Sequence, residues 1–137
     1  MEAYRICLVK YAGELAASGN PGRWNLRGQL VIYTAGSRAL TCLENVVHRS
    51  GEGLNSYFQV VRIDVPDALP IEGANAGSNA RRLAAGAPLC PLQPLGAAWY
   101  QRQAAAILRV PSFVIAHEHN YVLNTRHLDF ARVRIAG

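Results

Sequence analysis

Short apolar runs separated by glycine, proline and polar residues indicate a chain built from several β-strands with helices between them. Apolar residues alternate along Tyr4–Val9 and predict a first strand, in which Arg5 is a charge within an otherwise apolar run. The stretch Gln29–Ala35 is apolar on both faces except at Tyr33 and Thr34, which is typical of a central strand. Further strands are predicted at Tyr57–Val65, Ile107–Ile115 and Phe130–Ile135.

Two segments of the pattern predict helices. Ser37 is a favourable N-cap for a helix over Arg38–His48. Four apolar residues recur at helical spacing and predict its buried face: Ala39, Leu43, Val46 and Val47. Glu44 is expected at the border of that face, where a carboxylate needs a partner or a chemical role. A second helix is predicted at Gly96–Ala106.

Glycine and proline mark the loops between these elements. A dense cluster at Ser18–Gly22 predicts a loop before Arg23. The segment Asp67–Pro94 is rich in glycine, proline and alanine, and it predicts a long loop with a short helix near Asn79–Ala85. Pro111 interrupts an apolar strand, so we expect a sheet edge or a bulge at that position.

The length and the absence of a dividing linker predict one domain over residues 1–137, with the strands and helices given above. Half of the residues are hydrophobic and 17% are charged, as in globular proteins and unlike disordered chains. The net charge is +5, and arginine supplies almost all of it because Lys10 is the only lysine. This charge predicts a nucleotide, a nucleic acid or an acidic protein as partner, unless the arginines only solubilise the surface.

The cysteines and the lengths of the apolar runs indicate in which cellular compartment the protein is found. Three widely spaced cysteines without a CxxC pair imply neither a disulfide framework nor a zinc knuckle, which fits a reducing cytoplasm. No apolar run approaches the roughly 18 residues of a membrane span, and the N-terminus lacks the pattern of a signal peptide. We therefore expect a cytoplasmic protein without a membrane partner.

Several classes of site are compatible with individual residues. The fingerprints of Rossmann folds, P-loops, nucleophile elbows and HExxH metalloproteases are absent. His117 and His119 share a face of an extended segment and could bind a metal with His127, although exposed histidines near a turn are commoner. A Ser–His–Glu hydrolase built on Ser112 has the residue types without the context. Arg81–Arg82 could contact nucleic acid, but no basic stripe with interleaved aromatic residues surrounds them.

Three residues on successive elements suit one kind of ligand: Arg23 on a loop, Tyr33 on a strand and Glu44 on a helix. A guanidinium, an aromatic ring and a carboxylate together suit an anionic nucleotide whose base can stack on the ring and whose sugar can become cationic. Their motifs are GRWN and LVIYTAGSRALTCLENVVH, and further motifs are YRI, LGAAWY, ILRVPSFVI, NYVLN and HLDFARV. In this order they strongly resemble the RES-domain family, the toxins of bacterial RES–Xre toxin–antitoxin modules. The resemblance spans essentially the whole chain and is weakest in Asp67–Pro94.

The resemblance implies an α/β (α+β) fold, a compact single domain with mixed β-sheets and short helices that is similar to NAD-using ADP-ribosyltransferases. It also implies an activity that destroys NAD by hydrolysis or phosphorolysis. By motif, Arg23, Glu44 and Ser112 match the arginine, glutamate and serine of the family name, and Tyr33 matches its functional tyrosine. The implied catalytic residues are Arg23, Tyr33 and Glu44. The implied NAD-binding residues are Arg5, Arg23, Tyr33, Ser112 and Asn120. No metal and no cofactor beyond NAD as substrate are expected. One departure from the family pattern is that threonine rather than proline follows Asn124.

The chemistry of these residues agrees with the implied activity. Arg5 and Arg23 are suited to hold the diphosphate or the neighbouring ribose of NAD through forked hydrogen bonds. Tyr33 can stack on the nicotinamide ring, and Glu44 can stabilise the positive charge that develops on the ribose. Ser112 is expected to bond the nicotinamide amide or a phosphate rather than to act as a nucleophile.

The resemblance also implies a protein partner. An Xre-type antitoxin would cover the site, and operator DNA would be contacted only indirectly through the antitoxin; a homodimer remains open. Two other functions also remain open. The protein could transfer ADP-ribose to another protein, or it could be a non-enzymatic module that binds through its basic surface.

Overall fold

The computed structural model describes residues 1–49, 55–74 and 92–137. Its strands are β1 (Glu2–Leu8), β2 (Val31–Ala35), β3 (Phe58–Asp64), β4 (Ile71–Gly73), β5 (Ile107–Pro111), β6 (His119–Asn124) and β7 (Arg134–Ile135). Its helices are α1 (Arg38–Arg49) and α2 (Leu92–Arg102), and short 3-10 turns lie at Val9–Tyr11 and Leu128–Arg132. Along these ranges, neither α-helix has the length and apolar character needed to cross a lipid bilayer.

All seven of these strands form one sheet, in the order β4-β5-β6-β2-β1-β3-β7. The sheet is mixed because β4 and β5 are parallel, whereas the other neighbouring strands are antiparallel. Strand β1 pairs with β3 along its whole length, from Glu2 to Leu8. It pairs with β2 only at Tyr4 and Ala35, so the two central strands separate beyond this pair. The mixed α/β fold expected from the sequence is therefore confirmed, with the strands joined in a single sheet.

The two faces of the sheet carry separate hydrophobic cores. Ile32, Leu123 and Ile107 are registered across three strands and belong to one core, with residues of β1 and β3. Val122 and Leu108, which point the other way because side chains alternate along a strand, belong to the second core. That second core also contains Trp24, Leu92 and Trp99, so α2 and the loop before β2 cover this face.

Helix α1 reverses the orientation expected from its apolar stripe. Ala39 is exposed, and Leu43, Val46 and Val47 expose 41%, 45% and 59% of their surface. The inward face instead carries Leu40, Thr41 and Asn45, which are buried. The predicted buried face is therefore wrong, and Glu44 lies within the inward face, between Leu40 and Thr41 in angular position. Periodicity separated an apolar face of the helix from a mostly polar one, but it did not show which of the two faces turns inward.

Several predicted boundaries also change. Strand β5 ends at Pro111, where β4 no longer pairs with it, so Pro111 does lie at a local edge. The predicted last strand is wrong at its start, because Phe130 lies in a 3-10 turn and the strand itself is Arg134–Ile135. Strand β6 was not predicted, and β4 lies within the predicted long loop. The predicted helix at Asn79–Ala85, including Arg81–Arg82, falls outside the described residues.

Candidate active site

A cleft of about 600 Å³ opens on the side of the sheet where β1 and β2 separate. This volume lies within the usual range of small-ligand sites. Strands β1, β2, β5 and β6, helix α1 and the loop before β2 all contribute to its wall. The charged residues that line it in the described ranges are Arg23 and Glu44. The cleft therefore presents one cation and one carboxylate to whatever enters it.

Arg23 lies at the tip of a tight turn. The backbone N–H of Gly22 donates to Asn25 O over 3.1 Å, and the N–H of Asn25 donates back to Gly22 O over 3.5 Å. The side chain of Asn25 is buried and donates to the carbonyl oxygens of Asn20 and Gln29. The turn is thus fixed from inside by a satisfied amide, as a buried polar group requires. The Arg23 guanidinium lies over the ring of Phe113, 4.5 Å from its centroid, within cation–π range.

Tyr33 projects from β2 against this turn. Its hydroxyl donates to Asn25 Oδ1 over 2.5 Å and accepts from the backbone N–H of Trp24 over 3.0 Å. Gly22 makes room for it, because a Cβ at that position would lie 2.6 Å from the hydroxyl oxygen. The side chain still exposes 40% of its surface, and since the hydroxyl is enclosed, we assign most of that area to the ring. Burial raises the pKa of Tyr33 to about 12, so the phenol is neutral at physiological pH.

Glu44 is held by two side chains from the opposite wall. Ser112 Oγ donates to Glu44 Oε1 over 3.0 Å, and Asn120 Nδ2 donates to the same oxygen over 2.9 Å. Ser112 is itself fixed, because its Oγ accepts from the backbone N–H groups of Val114 and Ile115, each at 3.1 Å. The ends of β5 and β6 therefore orient the carboxylate that α1 supplies. Such charge-assisted bonds are among the stronger hydrogen bonds in proteins.

The two charges of the cleft influence each other. Burial lowers the pKa of the Arg23 guanidinium, and the negative charge of Glu44 opposes that shift. Arginine nevertheless stays protonated in proteins, so the cation persists at neutral pH. Ligands with a negative group at one end and a developing positive charge at the other match this polarity.

Four of the predicted site residues line the cleft: Arg23, Tyr33, Glu44 and Asn120. Ser112 is buried behind the wall and reaches the site only through Glu44, so the expected direct bond to a ligand is not seen in its geometry. Arg5 is not among the lining residues. Its neighbour Ile6 lines the cleft, and alternation along β1 directs the Arg5 side chain to the opposite face. The roles assigned to these six residues remain predictions.

The geometry does not favour the rival sites. No group of three histidine, cysteine, aspartate or glutamate side chains gathers to hold a metal in the described ranges. His127 instead caps the 3-10 turn, because its Nδ1 accepts from Asp129 N and its Nε2 donates to Gln103 O. A hydrolytic triad is equally unsupported, since Ser112 contacts Glu44 directly, without an intervening imidazole.

Sequence analysis missed several residues of the cleft and its supports. Thr41 and Asn45 line it beside Glu44, and their spacing marks a polar stripe that the sequence shows as clearly as the apolar one. Asn25 was visible within the GRWN motif, but only the fold shows its contact with Tyr33. Phe113, the stacking partner of Arg23, lies 90 residues away in sequence and carries no local signal.

Comparison with known proteins identifies the family. The family model described as the RES domain matches residues 2–137. The chain belongs to the RES domain family. One relative, a Prs ADP-ribosylating toxin from Sphingobium sp. (strain YBL2), is 37% identical over 127 residues, which cover 86% of this chain and 76% of the relative. Another, a Toxin Res from Yersinia enterocolitica, is 30% identical over 136 residues, which cover 95% and 88%.

A solved structure shares the fold of this RES domain. The crystal structure of the M. tuberculosis MbcT–MbcA toxin–antitoxin complex matches with a TM-score of 0.77, covering 99% of this chain and 81% of that chain. The sequence identity is 19%, so the likeness bears on the fold alone. The resemblance to RES-domain toxins that the motifs predicted is confirmed by the family match and the curated relatives.

Proposed function

We propose that this RES domain is a toxin that degrades NAD by cleaving the bond between nicotinamide and ribose. The observation that carries the proposal is the convergence of Arg23, Tyr33 and Glu44 on one cleft, with the carboxylate oriented by Ser112 and Asn120. The volume of about 600 Å³ is sufficient for a large part of a dinucleotide. Its single cation and single carboxylate match a substrate with a diphosphate and a ribose that becomes cationic.

Each residue has a distinct part in this chemistry. Arg23 pairs with the diphosphate or the adjacent ribose through two parallel N–H donors. The exposed ring of Tyr33 stacks on the nicotinamide and restricts its orientation, while its hydroxyl stays bound to the turn. Glu44, which lines the cleft, stabilises the positive charge that grows on the ribose as the bond breaks.

The reaction balances without a further reagent in the hydrolytic case. The carbon–nitrogen bond breaks with its electron pair on nicotinamide, which leaves as a neutral molecule. Water forms the new carbon–oxygen bond and releases one proton, for which Glu44 or the solvent is the acceptor. Inorganic phosphate in place of water gives ADP-ribose 1-phosphate, the phosphorolytic outcome.

Incubation of the purified protein with NAD tests the proposal. We expect nicotinamide to appear together with ADP-ribose or its phosphate, and the effect of added phosphate separates the two reactions. Glu44→Gln keeps an acceptor for Ser112 and Asn120 but removes the charge, so kcat should fall by about a hundredfold or more. Glu14→Gln, at an exposed position, is the matched control and should retain full activity. NAD loss that is unchanged in Glu44→Gln would contradict the catalytic role.

Transfer of ADP-ribose to a protein is the second candidate. It is favoured by the relative described as a Prs ADP-ribosylating toxin, at 37% identity. The bond that breaks is the same, but a protein side chain replaces water as the acceptor. NAD labelled in the adenine ring distinguishes the two, because label on a protein band supports transfer whereas free ADP-ribose supports degradation.

We further propose an Xre-type antitoxin as the partner of this toxin. The fold shared with a toxin from a toxin–antitoxin complex and the toxin relatives support a neutralising protein. The net charge of +5 favours an acidic surface on it. Expression of the toxin alone should stop bacterial growth, and co-expression with an antitoxin of the proposed Xre type should restore it. Expression of the Glu44→Gln variant without the antitoxin should leave bacterial growth unchanged.

A further inference from the structure

The first turn of α2 is hydrogen-bonded to the turn that carries Arg23. Gln93 Nε2 donates to Asn25 O over 2.8 Å and to Gly22 O over 3.2 Å. These carbonyls belong to the two residues that close the turn, so one amide bridges both of its ends. Arg23 and Trp24 are the two residues between them. Gln93 lies 70 residues away from Arg23 in sequence and does not line the cleft itself.

Other contacts show that α2 and the turn are packed as one unit. A Cβ at Gly96 would lie 1.8 Å from the carbonyl oxygen of Trp24, so only glycine permits this approach. Tyr100, one helical turn further, accepts a hydrogen bond through its hydroxyl from the N–H of Leu30. Trp99 and Trp24 share the same hydrophobic core. These contacts fix where the helix lies, and Gln93 fixes how the tip of the turn is oriented on it.

We propose that Gln93 is a positioning residue that sets the affinity of the cleft for the anionic part of NAD, acting through the backbone of Arg23. The inference rests on the proposed function for its substrate. Arg23 reaches the ligand only from the tip of the turn, and two backbone hydrogen bonds of 3.1 and 3.5 Å close that turn. The second of these is long, so the backbone alone closes the turn weakly, and the Gln93 bridge adds to the support that the Asn25 side chain and the Tyr33 hydroxyl give.

The effect should appear in substrate binding rather than in the chemical step. The diphosphate of NAD, which this proposal assigns to Arg23, does not change charge during the reaction, so a poorly positioned Arg23 weakens binding of the ground state and of the transition state alike. Glu44 is anchored on the opposite wall by Ser112 and Asn120, and those bonds do not involve α2. Loss of the Gln93 bridge therefore raises KM and leaves kcat nearly unchanged.

Gln93→Met tests this, because methionine has a similar length and no donor. We expect KM for NAD to rise about tenfold, with kcat within about twofold of the wild type. Gln93→Asn, which keeps the amide but shortens its reach, should behave alike. Gln101→Met on the exposed face of α2 is the matched control and should change neither constant. An unchanged KM, or a fall in kcat as large as the rise in KM, would overturn the proposal.

Amide hydrogen exchange gives a reading that does not depend on NAD. In Gln93→Met, the backbone N–H groups of Gly22 and Asn25 should exchange at least about threefold faster, while those of β6 should be unchanged. Unchanged exchange in the turn would overturn the positioning role even if the enzyme degrades NAD. Conversely, the wild type could leave NAD intact while Gln93→Met still shows faster exchange in the turn. That result would refute the proposed function and support the role of Gln93 in holding the turn.

Discussion

The two walls of the cleft hold their charged residues in different ways. Glu44 is fixed at its own carboxylate, by hydroxyl and amide donors that come from β5 and β6. Arg23 is fixed mainly through its backbone, because Gln93, Asn25 and Gly22 define the turn on which it sits. The Arg23 guanidinium itself is stacked on the ring of Phe113.

This difference fits two tasks. A carboxylate that stabilises a developing charge must already point at the reacting atom, since reorganisation during the reaction costs rate. An arginine that pairs with a diphosphate needs its N–H donors available for the ligand, and support from the backbone and from an aromatic face leaves them available. The following substitutions test the two walls in turn, from the largest expected loss of folding free energy to the smallest.

Gly96→Ala should break the wall that carries Arg23. The new Cβ would lie 1.8 Å from the Trp24 carbonyl oxygen, so either α2 or the turn must move. Overpacking of this kind costs about 3 kcal/mol of unfolding free energy, measurable by urea denaturation. Gly13→Ala is the control, because a Cβ there meets nothing within 4 Å, and it should stay close to the wild type. Equal stability of the two variants would mean that α2 does not rest on the turn.

Ser112→Ala should break the opposite wall. It removes one donor to Glu44 and leaves the N–H groups of Val114 and Ile115 without their acceptor, at a cost of about 2 kcal/mol of unfolding free energy. Because Asn120 still binds the carboxylate, kcat for NAD should fall by only about tenfold, with KM nearly unchanged. This is the reverse of the expectation for Gln93→Met, in which KM rises and kcat is nearly unchanged.

A double-mutant cycle sharpens the result for this wall. Ser112→Ala and Asn120→Ala remove two donors from the same oxygen of Glu44, so their effects on kcat should not add. The second substitution should cost more when the first is already present, because Glu44 Oε1 then loses both the Ser112 and the Asn120 donor. Strict additivity would indicate that the two residues do not orient Glu44 together.

The sequence predicted the order of most elements because their periodicity and breakers are local signals. It predicted the three residues of the cleft on β2, α1 and the preceding loop for the same reason, as each lies in a compact motif. It failed for α1, where an apolar stripe of Leu43, Val46 and Val47 is exposed and a polar stripe turns inward. Amphipathicity defines two faces, and burial of the apolar one is only the commoner outcome.

The contacts that give the cleft its geometry are not local. Ser112 and Asn120 lie 68 and 76 residues from Glu44, and Gln93 lies 68 residues from Asn25. Nothing in the sequence around Gln93 distinguishes it from Gln101 on the same helix, although one is a bridge and the other is exposed. Arg5 shows the converse, since a charge in an apolar strand suggested a ligand role, whereas Arg5 is not among the residues that line the cleft and its neighbour Ile6 is.

Tyr33→Phe should have the smallest effect on the free energy of unfolding, and the dependence of that effect on pH identifies the Tyr33 hydroxyl as its source. The variant loses the hydroxyl that joins Asn25 Oδ1 to Trp24 N, which costs about 1 kcal/mol of unfolding free energy at pH 8. Folding raises the pKa of Tyr33 from its ordinary value of 10 to about 12, so the folded state favours the neutral phenol. That contribution is fully present below pH 10 and is lost as pH rises towards 12. Urea titrations at pH 8 and pH 11 should therefore show the gap between wild type and variant narrowing at the higher pH. A gap that is constant or widens would mean that the hydroxyl is not enclosed by the turn that carries Arg23.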